Sequence, residues 1–125
     1  MTKRNIHGDW TMNFEGRISR STIMGSTNNE AAINWSKDVR NLVQSSEEGT
    51  NSPWLMLNDC RDWNMASMDA WDTNNQIIDW SVEHQCILVA AVLSKKLQEY
   101  AFTTGFRNQG VLQFFTIMMK LHEYA

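Results

Sequence analysis

Hydrophobic and polar positions along the chain change period several times, and each change marks an element. Trp10, Met12 and Phe14 alternate with Thr11, Asn13 and Glu15, the period-two pattern of a strand with one buried face. Gly16 supplies a turn, and residues 20–24, "RSTIM", return as a second strand that stops at Gly25. Thr27 followed three residues later by Glu30 is a capping-box pair, in which each side chain satisfies a free amide of the first helical turn. Ala32, Trp35, Val39, Leu42 and Val43 then share one face at helical spacing, while Asn34, Lys37, Asp38 and Asn41 lie elsewhere on the wheel. The spacing predicts a helix over 28–44.

"SSEEGTNSP" (45–53) is a loop by composition and holds the only proline, Pro53. "WLMLN" (54–58) is a continuous apolar run, as expected of a strand buried on both faces. Met68, Trp71, Ile78 and Val82 make a second amphipathic helix, with Asn74, Asn75 and Gln76 as a polar interruption. "CILVAAVL" (86–93) is the strongest strand signal. "SKKLQEYAF" (94–102) predicts a third helix with Leu97, Tyr100 and Ala101 inward, ending near Gly105. "VLQFF" (111–115) is a further strand, after which Thr116 can cap a short final helix carrying Met118 and Leu121. Alternation of this kind requires parallel strands joined by right-handed crossovers. The expected fold is one small α/β domain over 1–125, with a mostly parallel sheet of four to five strands. It has an N-terminal hairpin-like pair and about four helices.

A chain of 125 residues suits a single domain, and 42% hydrophobic with 20% charged residues is ordinary for a soluble protein. The net charge of −3, with Lys3-Arg4, Lys95-Lys96 and Lys120 scattered, offers no basic face, so nucleic acid is not expected as a partner. The longest apolar run, 87–93, is too short to span a bilayer, and the N-terminus lacks a signal core. The expectation is a cytoplasmic protein without membrane insertion. Cys60 and Cys86 then read as free thiols.

"LNDCRDWNMASMDAW" (57–71) places Asp59, Cys60, Arg61 and Ser67 at the end of an apolar strand, where open α/β sheets hold their ligands. A phosphoacceptor aspartate of the two-component receiver kind needs an acidic pair for Mg²⁺ after the first strand. Here that strand ends in a lone Glu15, and the lysine expected after the last strand is matched only by Lys120, inside a helix. A dehalogenase-type Asp-x-Asp is absent, since Cys60 and Arg61 follow Asp59. Arg61 could activate the Cys60 thiol, but adjacent residues of an extended chain point to opposite faces and no phosphate loop follows. His7, His84 and His122 are far apart, which excludes a metal cluster of zinc-type spacing. No Gly-rich nucleotide loop and no Gly-x-Ser-x-Gly elbow occur. No catalytic residue, metal or cofactor is therefore assigned. Ser67 reads as a helix N-cap with Asp69 in the first turn. The alternative is a phosphorylated serine, whose charge Asp69 would oppose.

"GSTNNEAAINW" (25–35), "PWLMLNDCRDWNMASMDAW" (53–71) and "FFT" (114–116) carry a family resemblance. The sequence resembles the STAS domains, the fold of sporulation anti-anti-sigma factors and sulfate-transporter tails. More narrowly, it resembles the small SpoIIAA-like proteins of marine Gram-negative bacteria. Anti-anti-sigma factors carry an Asp-Ser-Ser-Gly-like segment whose serine is phosphorylated by an anti-sigma kinase. Met65-Ala66-Ser67-Met68 stands in that place, so only Ser67 matches, without the acid and glycine.

Six tryptophans are the most unusual feature of the composition. Trp35 and Trp71 fit inward helix faces, and Trp10 and Trp54 fit strands. Trp63 falls in a strand-to-helix loop, where it either faces a partner or folds back to cap the core; Trp80 falls off the apolar stripe of its helix. The preferred reading is a non-enzymatic STAS-like regulatory domain acting through a protein partner or self-association, a homodimer included. Its expected interaction surface comprises Asp59, Arg61, Asp62, Trp63, Ser67, Asp72 and Trp80. The runner-up is a small-molecule or lipid-binding domain with an apolar pocket between sheet and helices, lined by Trp and some of the eight adaptable Met residues. A third reading is an enzyme centred on Asp59 and Arg61.

Overall fold

The computed structural model describes residues 8–117, in the order β1 (Asp9–Glu15), β2 (Ile18–Thr27), α1 (Asn29–Ser45), β3 (Trp54–Asp59), β4 (Trp63–Ala66), α2 (Met68–Glu83), β5 (Cys86–Leu93), α3 (Lys96–Gly105) and β6 (Leu112–Thr116). The sheet runs β1-β2-β3-β5-β6, with β1 antiparallel to β2 and the later pairings parallel. Gly16 and Arg17 turn the first hairpin with φ of 60° and 62°, as a two-residue turn with left-handed residues requires. The Arg17 guanidinium then ties down the loop after α1, donating to the carbonyls of Gly49 and Ser52 at 2.6 Å each.

From β2 to β3, β5 and β6 the chain advances across the sheet in one direction. Right-handed crossovers therefore lay all three helices on one face. Burial alternates accordingly: Trp54, Met56 and Asn58 on β3, and Val89, Ala91 and Leu93 on β5, are buried against the helices. Leu55, Leu57, Leu88, Ala90 and Val92 on the opposite face are only half-buried. β3 is thus fully buried on one face, not two as its apolar run suggests. From the helix side Val39, Val43, Ile77, Ile78, Ala101 and Phe102 complete the core. Each fully buried large apolar side chain contributes roughly 1.5–3 kcal/mol.

Several elements depart from the sequence pattern. The segment expected to be a loop contains a sixth strand, β4, which pairs with Gly25, Ser26 and Thr27 of β2 after β3 has paired with the strand's first half. Gly25, with φ +76°, sits where that register shifts. Four residues are too few to show an alternation, so β4 leaves no period in the sequence. The α1 cap is Asn28, whose Oδ1 accepts from the Ala31 amide at 3.0 Å, instead of Thr27. On α2, Met68 and Val82 face solvent, and the inward stripe is Ala70, Asn75, Ile77, Ile78 and Ser81. On α3, Leu97 and Tyr100 are exposed while Gln98, Ala101 and Phe102 are buried. Thr116 ends β6 instead of capping a helix, and the short final helix expected over Met118 and Leu121 lies outside the described residues. No helix among the described residues is long and apolar enough to cross a membrane.

Candidate functional site

The carboxyl ends of β2 and β3 meet the first turns of α1 and α2 and the end of α3, and there the packing leaves a cavity of about 60 Å³. Strand alternation sends Asn58 inward after Trp54 and Met56, and Ile23 reaches the same space from β2. Two small residues of α1, Ala31 and Ala32, leave room that Trp35 on the next turn does not fill. Trp63, Trp71, Phe102 and Phe106 form an aromatic wall. Trp63 packs edge-on against Trp71 and Phe102, with centroids 6.0 and 5.5 Å apart, and Trp71 meets Phe106 at 5.0 Å. Perpendicular ring pairs are the favourable arrangement for aromatic quadrupoles.

Polar groups around the cavity are mostly satisfied within the protein. Trp63 Nε1 donates to Thr27 Oγ1 at 3.2 Å, and Trp35 Nε1 donates to Ser21 Oγ at 3.1 Å. Asn58 differs: it is 5% exposed, and its Oδ1 is buried with no hydrogen-bond partner. Cys60, also in the wall, is a buried free thiol whose pKa burial pushes up to about 12, with the Asp59 charge acting in the same direction. It is a neutral filler at neutral pH and a poor nucleophile. None of the described lining residues is charged. The site offers an uncharged, largely aromatic surface, and the unpartnered Asn58 oxygen is sealed away from it.

The residues singled out from the sequence fall into separate groups. Asp59 and Arg61 pair with each other at the end of β3: Arg61 Nε donates to Oδ1 at 2.9 Å and Nη2 to Oδ2 at 2.7 Å. That hydrogen-bonded pairing holds the Asp59 carboxyl below its ordinary pKa. Asp62 and Asp72 are exposed. Ser67 stands at the N-cap position of α2, but its hydroxyl donates to Asp69 Oδ1 at 2.6 Å and makes no cap bond, contrary to the expected role. Trp63 is 4% exposed, so of its two readings the inward one holds, and it presents no face to a partner. Trp80 is half-buried and stacks on His84, centroids 4.3 Å apart, twelve residues and about 18 Å along α2 from its start. Among the described residues, no group of three or more His, Cys, Asp or Glu side chains could hold a metal ion.

Sequence reasoning passed over two residues that shape this site. Asn58 was legible as the polar member of an inward-facing alternation in β3. Gln98 was hidden, because the stripe Leu97–Tyr100–Ala101 competes with the true one. Buried at 1% exposure, Gln98 donates to the carbonyls of Cys60 and Trp63 and accepts from the amides of Ser94 and Lys95.

No family model and no curated protein matches the chain. Among solved structures it is similar to an uncharacterized protein of the DUF3478 family with a SpoIIAA-like fold from Shewanella loihica PV-4. The TM-score is 0.58 at 14% sequence identity, and the likeness covers 98% of this chain and 94% of that one. The hairpin, the parallel strands and the helices on one face therefore make up a SpoIIAA-like fold.

Proposed function

We propose that this protein is a non-enzymatic binding domain that takes a small apolar molecule in the cavity between sheet and helices. The observation that carries this reading is the uncharged, aromatic-walled cavity at the carboxyl ends of β2 and β3, partly open to solvent. Concave apolar sites with few polar groups are the usual form of small-molecule pockets. Ordinary side-chain packing supports the non-enzymatic part: Asp59 is tied to Arg61, and the Cys60 thiol is buried and protonated. The test is thermal unfolding in the presence of a panel of small neutral aromatics. Wild type is expected to unfold at a higher temperature with some of them, while Ala32→Leu, which fills the cavity, loses the shift.

A second reading, contact with a protein partner or a second copy, rests on Met68. This side chain is 89% exposed at the start of α2, between Ser67 and Asp69 and near Asp72. Exposed large apolar side chains are favoured at interfaces. The fold supports it too, since SpoIIAA-like domains are associated with regulatory protein contacts. Sedimentation over a range of concentrations tests self-association: Met68→Asp is expected to weaken any dimer, and a dimer that ignores the change does not use this surface.

A further inference from the structure

The two edges of the sheet are finished differently. Among the described residues, β1 and β6 each have a strand on one side only, so each turns a row of backbone N–H and C=O groups outward. Folded proteins blunt such edges with charges, proline, bulges or a covering element. β1 follows the rule, with Asp9 and Glu15 at its two ends. β6, "LQFFT", carries no charge and no proline, and pairs with β5 in an unbroken register.

The ladder to β5 fixes which groups of β6 face out. The Val111 carbonyl accepts from the Val89 amide at 3.0 Å, and the Ile117 amide donates to the Leu93 carbonyl at 2.8 Å. Backbone groups alternate along a strand, so residues 111, 113, 115 and 117 turn theirs to β5. Leu112, Phe114 and Thr116 turn theirs outward. The Leu112 amide is satisfied by the Gln109 carbonyl at 3.3 Å, which leaves the Phe114 and Thr116 amides for a strand beyond the edge. Beside them Phe115 and Ile117, 58% and 48% exposed, lie on the face of the sheet away from the helices.

Self-pairing separates the two edges. Laid antiparallel on a second copy about Met12, β1 would set Asp9 against Glu15, and like charges directly opposite are destabilising. β6 laid antiparallel on itself about Phe114 meets no such penalty. The two Phe114 residues then exchange both backbone bonds, and the Thr116 amide reaches the second copy's Leu112 carbonyl. Gln113 faces Phe115 in the close, non-hydrogen-bonded pair between them. The contact is identical from either side, so it closes as a twofold dimer and does not grow into a filament.

We propose that β6 is a self-association edge, through which two copies of this chain pair antiparallel and join their sheets into one. The proposal is independent of the cavity and of the Met68 surface. A five-residue edge buries less than the about 800 Å² per partner of a standard interface, so the dimer is weak and forms as concentration rises.

Amide hydrogen exchange of the wild-type chain, read residue by residue from about 0.05 mM to about 1 mM alongside sedimentation, tests this. The chain is expected to pass from monomer to dimer, with exchange at Phe114 and Thr116 slowing about threefold or more. Gln113 and Phe115, already bonded to β5, change little. Phe115→Lys, a charge at an exposed edge position, is expected to keep the fold and remain monomeric. A wild-type chain that stays monomeric throughout overturns the proposal. So does a dimer in which Phe114 and Thr116 exchange as fast as in the monomer, since its contact then lies elsewhere. Slow exchange at both residues at every concentration also overturns it, because the edge is then covered by the chain's own residues, 118–125 among them. If Phe115→Lys fails to fold, the wild-type exchange still decides.

Discussion

Gln98 on α3 reaches beneath the connection between β3 and β4 and donates to the backbone carbonyl of Trp63 at 2.6 Å. The same amide nitrogen donates to the Cys60 carbonyl at 2.8 Å, and the side-chain oxygen takes the Ser94 and Lys95 amides. All four hydrogen-bonding capacities of a buried amide are thus used. One side chain holds the 60–63 turn against α3 and keeps Trp63 pointing into the core.

Gln98→Leu should therefore be among the most damaging single changes to the fold. It removes one hydrogen bond from each of the Cys60 and Trp63 carbonyls and the acceptor of the Ser94 and Lys95 amides, although the Cys60 carbonyl keeps the Trp63 amide at 3.1 Å, a loss of about 2–4 kcal/mol. Urea unfolding measures it, and a change below about 0.5 kcal/mol would show that the turn is held by other contacts.

Gly105 makes a prediction of a different kind. A Cβ built there would lie 2.6–2.7 Å from three ring atoms of Trp71, closer than carbon atoms approach. Gly105→Ala must move Trp71 or the end of α3, which Asn75 fixes by donating to the Gly105 carbonyl at 2.9 Å. The expected outcome is a loss of about 1–3 kcal/mol, the range of overpacking, with a changed near-UV circular dichroism spectrum.

These two residues show what the sequence could and could not convey. Period-two alternation marks β1, continuous apolar runs mark β3 and β5, and helical spacing marks α1, because their inward residues are mostly large and apolar. The inward stripe of α3 is Gln98, Ala101, Phe102 and Gly105, and two of those four carry no apolar side chain. Its role comes from hydrogen bonding and close approach, which hydropathy does not record, so Leu97 and Tyr100 looked like the core face. The site follows the same rule. Its place at the carboxyl end of β3 was legible, but the direction of Trp63 depends on β4, Thr27 and Gln98, all contacts distant in sequence.

Asp59 and Arg61 give a pH prediction. The folded-state pKa of Asp59 is lowered by the hydrogen bonds from Arg61, so the pair stabilises the fold above the ordinary carboxylate value of 3.8 and loses that contribution as pH falls through the lower folded value. Exposed pairs of this kind contribute little. Arg61→Ala should reduce stability slightly at neutral pH, and the difference from wild type should vanish in strong acid. A difference that persists unchanged down to pH 2 would mean that Arg61 acts through packing.

The thiols provide a probe of the cavity. Burial raises the pKa of Cys60 to about 12 and that of Cys86 to about 11, so the reactive thiolate is scarce in the folded state at neutral pH. Labelling by a thiol reagent should be slow natively and complete in urea, and bound phenol should slow it further at Cys60, which lines the cavity. Fast native labelling of Cys60 would show that the wall opens readily.

What enters between Trp63, Trp71 and Asn58 is reported directly by the tryptophans. Trp10, Trp35, Trp63 and Trp71 line the cavity, while Trp54 and Trp80 lie elsewhere. A titration with phenol followed by the indole N–H resonances in a ¹H–¹⁵N correlation spectrum separates the two sets. Saturable shifts of the Trp63 and Trp71 signals, with Trp54 and Trp80 unmoved, are the predicted result. Signals that do not shift, or shifts confined to Trp80, would contradict it.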